Sequence, residues 1–101
     1  MIGGTSSQNS NTPSILNAAG TALAANNARI AWGIQNVGTN PIFVRFGAGA
    51  STTVFHKVLK GGTGNSDGLG SSIDYDGATI YNGIVTVDGT SPLFVVYEIA
   101  P

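Results

Sequence analysis

The sequence predicts an all-β protein, an antiparallel β-sandwich of jelly-roll-like type with a flexible N-terminal arm. Three observations support this prediction. Short segments in which apolar and polar residues alternate recur along the chain, and turn-forming residues separate them roughly every ten residues. Gly is frequent, with 15 residues, and no segment shows the strand-helix alternation of a parallel sheet. The 101 residues suffice for one domain of this kind.

We expect residues 1–13 to be the flexible arm and residues 14–101 to be the β-sandwich domain. Residues 3–13 carry only small or polar side chains and Pro13. Such a segment buries too little apolar area to offset the entropy lost on ordering. The arm is therefore predicted to be mobile in the free protein and to order against a partner.

Residues 15–28 leave two interpretations open. Their many Ala residues favour a helix, but Gly20 and Thr21 interrupt it, and the pair Asn26-Asn27 is typical of a turn. Short extended pieces are the preferred interpretation.

The clearest prediction is a hairpin formed by residues 29–35 and 42–46. In both segments every second side chain is apolar: Ile30, Trp32 and Ile34 in the first, and Ile42, Val44 and Phe46 in the second. Residues 37–41 (VGTNP) form the short connection between two antiparallel strands. Trp32 is expected to be buried, because it shares a face with its apolar neighbours.

Further strands are predicted at residues 54–60, 73–76, 79–87 and 93–99. Residues 61–70 (GGTGNSDGLG) are a loop by composition, too rich in Gly to hold one conformation unless something packs on it. Residues 88–92 (DGTSP) are the turn between the last two strands.

Charged residues are few and dispersed: four are basic and five acidic, for a net charge of −1. Binding to nucleic acid or to an anionic membrane requires clustered Lys and Arg, so neither partner is expected. No apolar run reaches about 18 residues, and residues 1–10 lack the features of a signal peptide, so we expect neither a membrane span nor a signal peptide. Cys is absent, which excludes disulfides and Cys-based metal sites.

The same composition points to assembly. Only 9% of the residues are charged, against about 25% in an average soluble protein. Phe43 and Phe46 fall on opposite faces of their predicted strand. Apolar groups on both faces indicate that one face meets a second subunit, or else that the strand is buried on both sides within one chain.

Catalytic motifs are weak in this sequence. His56 is the only His, and no Ser lies in a G-x-S-x-G elbow. Asp74-Tyr75-Asp76-Gly77 begins like a calcium loop, but Val85 stands where a bidentate Glu would close it. We therefore expect no enzymatic activity, no metal and no cofactor.

One region carries a family resemblance. Residues 29–47 (RIAWGIQNVGTNPIFVRFG) contain an arginine, an apolar strand ending in I-Q-N, a G-T-N-P turn and a strand ending in Gly, and Glu98 follows near the end of the chain. This pattern resembles a motif of small structural proteins of tailed bacteriophages or cyanophages. The resemblance extends over residues 23–99 and is most specific over residues 34–47.

The resemblance implies a capsid decoration (cement) protein, a virion structural protein on the outer surface of the capsid. Such proteins are typically homotrimers with extended N-terminal arms, and the implied partners are the major capsid protein and further copies of the chain. The candidate interface residues are Phe43 and Arg45 on the hairpin and Thr12 and Pro13 at the end of the arm. Arg45 is expected to form a salt bridge with a neighbouring subunit or with the capsid.

Two other functions fit the same composition. The first is a carbohydrate- or receptor-binding module of a phage tail or head fibre, in which Tyr75 and Tyr81 stack on sugar rings beside Asp74, Asp76 and Asn82. The second is a subunit of a non-viral assembly.

Overall fold

The computed structural model describes residues 8–101, and within this range every regular element is a β-strand. The strands are β1 (Asn9–Ser10), β2 (Ile15–Leu16), β3 (Gly20–Leu23), β4 (Ala31–Asn36), β5 (Ile42–Phe46), β6 (Lys57–Leu59), β7 (Ser72–Asp76), β8 (Val85–Asp88) and β9 (Phe94–Ala100). No helix that could cross a membrane occurs in this part of the chain.

The strands form two antiparallel sheets that pack together, which confirms the predicted all-β class and is compatible with a β-sandwich. The first sheet has the order β1-β9-β4-β7, and β2 also pairs with β9. The second sheet has the order β3-β8-β5-β6. This order is compatible with the predicted jelly-roll arrangement.

The core lies between the two sheets. Side chains alternate along each strand, so every second residue points inward. The buried apolar residues are Trp32, Ile34, Phe94 and Val96 from the first sheet and Leu23, Ile42, Val44, Leu59, Val85 and Val87 from the second. The prediction that Trp32 is buried is confirmed, because its side chain is 0% exposed.

The predicted hairpin of residues 29–35 and 42–46 is wrong. β4 belongs to the first sheet and β5 to the second, so the connection 37–41 crosses the sandwich. Asn36 holds this corner: its amide donates to the carbonyl oxygens of Asn40 (2.8 Å) and Leu59 (2.9 Å), and its oxygen accepts from the Gly38 N–H (2.9 Å). Both strands turn their apolar faces to the same core, which places them in opposite layers.

Residues 15–28 contain two short strands and no helix, as the preferred interpretation of short extended pieces predicted. β2 pairs with β9 in the first sheet, and β3 pairs with β8 in the second. Residues 17–19 therefore carry the chain from one sheet to the other.

Two predicted strands are shorter than expected. The segment 54–60 forms a strand only at β6, because the N–H of Val54 and the carbonyl of Ser51 close a turn just before it. The segment 79–87 forms a strand only from Val85 onward. Before that point Tyr81 donates its hydroxyl hydrogen to the Ile84 carbonyl, which holds residues 81–84 in a bend.

The described end of the predicted arm lies along β9. Asn9 and Ser10 pair with Ala100 and Ile99. Asn11 continues the pairing, because its side-chain oxygen accepts from the Glu98 N–H at 2.7 Å. Residues 1–7 lie outside the described range, and mobility of the arm in the free protein stays a prediction.

The Gly-rich loop 61–70 is held by Asp67. One carboxylate oxygen accepts hydrogen bonds from the Thr63 N–H and hydroxyl and from the Gly64 N–H, and the other accepts from the Leu69 N–H. The hydrogen bonds from Leu69, Gly64 and Thr63 lower the pKa of Asp67 to about 2. The loop also packs on the connection 37–41, where the Gly62 N–H donates to the Gly38 carbonyl at 2.8 Å.

Candidate functional site

The outer face of the second sheet carries an apolar patch made of Phe43, Phe55 and Val58. Phe43 lies opposite Val58 in the pairing of β5 with β6, and its ring centroid lies 5.2 Å from that of Phe55. Phe55 is 40% exposed and Val58 is 47% exposed. The predicted interface residue Phe43 is itself half-buried and packs beside two exposed apolar side chains rather than standing alone.

Arg45 lies on the same outward-facing side of β5 as Phe43. It is opposite Thr86 on β8, and its guanidinium lies beside the backbone of Gly47 and Gly49. Within residues 8–101 it makes no salt bridge. The salt bridge to a neighbouring subunit stays a prediction.

Thr12 and Pro13 lie elsewhere. Both are exposed in the connection between β1 and β2 at the edge of the first sheet, and Pro13 borders a hollow on the outer face of that sheet. The four candidate interface residues therefore belong to two separate surfaces, one formed by Phe43 and Arg45 and one containing Pro13.

The arginine and the acidic residue of the resembling motif meet at one end of the sandwich. The buried Arg29 donates from Nε to Glu98 Oε2 at 2.7 Å. Its remaining nitrogens donate to the carbonyl oxygens of Ala24 (2.7 Å), Tyr81 (3.0 Å) and Gly83 (3.0 Å). These contacts, and the hydrogen bonds of Asn36 described above, show that Arg29, Asn36 and Glu98 of the resembling motif stabilise the fold.

The two tyrosines suggested for sugar stacking are half-buried and pack against other aromatic rings of the protein, which argues against that assignment. Tyr75 faces inward from β7, with its ring centroid 5.1 Å from that of Trp32. Tyr81 stacks on Phe46 at 5.6 Å and donates its hydroxyl hydrogen to the Ile84 carbonyl. Tyr75 is next to Asp74 and Asp76 in the sequence. Because side chains alternate along β7, its ring lies on the opposite face of the strand from these two aspartates.

His56 extends this aromatic group at the surface. Its ring stacks on Phe46 with centroids 4.8 Å apart, and its Nδ1 accepts a hydrogen bond from the Phe46 N–H at 3.0 Å. Among the described residues, no group of three His, Cys, Asp or Glu side chains is placed to hold a metal ion. The structure thus gives His56 a packing role.

The outer face of the first sheet contains a polar and aromatic site, of which the sequence analysis named Asp74 and Asp76 but not Tyr97 or Gly33. Gly33, in the middle of β4, lies opposite Tyr97 on β9 and opposite Asp74 on β7. The Tyr97 hydroxyl donates to Asp74 Oδ1 at 2.7 Å, so the phenol reaches across β4. A Cβ at Gly33 would collide with Tyr97 Cε1, which explains why glycine occupies this position.

The Tyr97–Asp74 bridge separates two hollows. The larger, of about 410 Å³, is lined by both bridge residues and by Pro13, Ile34, Gln35, Ser72, Val95 and Val96. The smaller, of about 270 Å³, is lined by both bridge residues and by Ala31, Tyr75, Asp76 and Ile99. Burial of the phenol, its hydrogen bond to Asp74 and the charges of Asp74 and Asp76 raise the pKa of Tyr97 to about 12.

A glycine in the middle of a central strand was the signal that could have revealed this site. Gly33 takes an outward position between Trp32 and Ile34, and a strand glycine often marks a close approach by another group. The sequence alone does not say which group approaches.

Comparisons of the chain with protein-family models, with curated proteins and with solved structures return no match.

Proposed function

We propose that the protein is a virion structural protein, a capsid decoration protein that binds the outer head surface and stabilises the capsid lattice. Its partners are the major capsid protein and further copies of itself in a homotrimer. It acts by binding and has no enzymatic activity. The observation that carries the proposal is the apolar patch of Phe43, Phe55 and Val58 beside Arg45 on the outer face of the second sheet.

The charge distribution supports this choice of surface. Arg29 and Glu98 form an ion pair with each other, and the Asp67 carboxylate accepts hydrogen bonds within its own loop, so these three charges are already paired inside the protein. Of the remaining basic side chains, Arg45 lies on the outer face of β5 and Lys60 directly follows β6, while Lys57 is paired with the buried Val44 and so lies on the other face of β6 from Val58. A partner that offers apolar groups and carboxylates fits this surface.

The scarcity of charge elsewhere supports a role in a lattice. Contacts made by Ser, Thr, Asn and Gly are short-ranged and depend little on salt, unlike ion pairs. In a lattice many such weak contacts act together, so a single interface needs only modest affinity. The N-terminal segment, which already pairs with β9, adds a further element that can contact a neighbour.

The test is addition of the purified protein to heads of the encoding phage from which it has been removed. We compare the wild-type chain with Phe55→Ser and with the control Leu69→Ser, which changes a more exposed apolar residue outside the patch. Phe55 is 40% exposed and Leu69 is 60% exposed. We expect wild type and Leu69→Ser to bind and Phe55→Ser to lose occupancy in cryo-electron maps.

Light scattering of the free protein examines self-association separately. A trimer mass that falls to a monomer mass in Phe55→Ser supports the patch as the subunit interface. Failure of the wild-type chain to bind heads contradicts the proposed function, and equal binding of all three chains contradicts the assignment of the patch.

A further inference from the structure

We propose that the outer face of the first sheet binds a neutral oligosaccharide, which lies across the Tyr97–Asp74 bridge and occupies the hollow on either side. This inference goes beyond the proposed decoration function and does not depend on it.

The first argument is that the aromatic side chain is held in place. Neighbouring strands are about 4.8 Å apart, so a phenol that starts on β9 and bonds a carboxylate on β7 must lie along the sheet. The hydrogen bond of 2.7 Å from Tyr97 to Asp74 and the absence of a side chain on Gly33 fix it there. A preorganised aromatic surface loses little conformational entropy when a ligand binds.

The second argument is the chemistry around the ring. Gln35, Ser72 and Asp76 provide amide, hydroxyl and carboxylate groups, which donate to or accept from sugar hydroxyls. Val95 and Ile99 provide apolar contacts for the C–H groups of a sugar ring, one in each hollow. A ligand site of this kind combines apolar walls with a few convergent polar groups.

The third argument concerns charge. Asp74 contributes to both hollows and Asp76 to one, and no basic side chain among the described residues lines either hollow. An anionic ligand such as a sialylated or sulfated glycan would meet two carboxylates without compensation. A neutral ligand with many hydroxyl groups can instead donate hydrogen bonds to the two carboxylates.

The test uses the full chain on a printed array of neutral, sialylated and sulfated glycans, followed by titration of the strongest neutral ligand with NMR detection. We expect binding to neutral glycans only, with amide shifts confined to β4, β7 and β9. Tyr97→Ala and Asp76→Asn are each expected to weaken binding about tenfold, the loss of roughly one good contact. Asp76→Asn leaves the Tyr97–Asp74 bridge intact, so it reports on the site even if Tyr97→Ala disturbs the sheet.

The matched control is Asp88→Asn, which makes the same charge change on the second sheet and is expected to bind as the wild type does. Absence of binding to any neutral glycan overturns the proposal, and so does binding to anionic glycans alone. Full binding by both Tyr97→Ala and Asp76→Asn places the ligand elsewhere and also overturns it. The peptide tetralysine serves as a cationic probe: if it shifts these amides and the neutral glycans do not, the face binds a basic partner instead.

Discussion

Arg29 and Glu98 lie 69 positions apart in the chain, and the guanidinium Nε donates to Glu98 Oε2 at 2.7 Å with the arginine side chain fully buried. The same guanidinium also bonds three backbone carbonyls of the segments 24–29 and 81–83. One side chain therefore ties together segments that no strand pairing connects.

Replacing this arginine is expected to cost about 3 to 5 kcal/mol of unfolding free energy, since Arg29→Ala leaves Glu98 Oε2 and three carbonyl groups without their donor. Urea unfolding measures the change. Arg45→Ala is the matched control, because Arg45 makes no salt bridge within residues 8–101; it should change stability by no more than about 0.5 kcal/mol while reducing assembly. Equal destabilisation by the two variants would contradict this division of roles.

Trp32→Ala is expected to remove a large part of the stability of the domain. Replacing a buried Trp by Ala costs about 3 to 5 kcal/mol, and a small domain has about 5 to 15 kcal/mol in total. Circular dichroism during thermal melting measures the effect. Trp32→Phe is the control: it keeps a ring against Phe46 and Tyr75 and removes an indole N–H that has no hydrogen-bond partner among the described residues, so it should melt much closer to wild type. An unchanged melt of Trp32→Ala would contradict its burial.

The sequence predicts the burial of Trp32 correctly but the strand pairing across the connection 37–41 wrongly. Alternation of apolar residues predicted the burial of Trp32, because the pattern is local and depends only on the pleat of one strand. The same pattern predicted two strands correctly but paired them wrongly, since alternation specifies an inward face and not a partner. The Tyr97–Asp74 site was missed for a similar reason: it joins three strands that are distant in sequence.

The N-terminal segment is expected to contribute to assembly more than to folding. A chain that lacks residues 1–10 keeps Asn11, whose side chain bonds the Glu98 N–H and the Val96 carbonyl. The removed residues include β1, which is exposed and only 2 residues long. We expect an unchanged fold by circular dichroism and weaker attachment to phage heads; undiminished attachment would argue against a clamping role for the arm.

Acid is expected to loosen the loop 61–70 only at low pH. The pKa of Asp67 is about 2 in the folded protein, below its ordinary value of 3.8. The stabilisation by its carboxylate is therefore complete above the unfolded value and is lost as the pH falls from about 4 through about 2. The Gly64 and Leu69 amide signals in NMR should move over this range. Asp67→Asn should show altered signals already at neutral pH, and a midpoint near the ordinary value in the wild type would contradict the hydrogen-bonded loop.

Alkali is expected to ionise Tyr97 later than a free tyrosine. Its pKa of about 12 lies above the ordinary value of 10.0, so the neutral phenol is favoured by the fold. Its contribution to stability is present below pH 10 and is lost as the pH rises toward 12. Ultraviolet titration of wild type against Tyr97→Phe isolates this phenol, and Asp74→Asn should lower its pKa. A midpoint unaffected by Asp74→Asn would contradict the bridge.

The pairing of the strands also determines when the chain can fold. Within residues 8–101, β5 and β6 are the only consecutive strands that pair; β4 pairs with β7 and β9, and β3 pairs with β8. Pairings between distant segments close large loops before they gain contact energy, so folding is slow compared with that of a protein built from hairpins. During synthesis the first sheet has to wait until β9, which pairs with β1, β2 and β4, has left the ribosome. Until then the apolar faces of β4 and β5 are without their full set of neighbours, and the growing chain is most exposed to aggregation just before β9 is added.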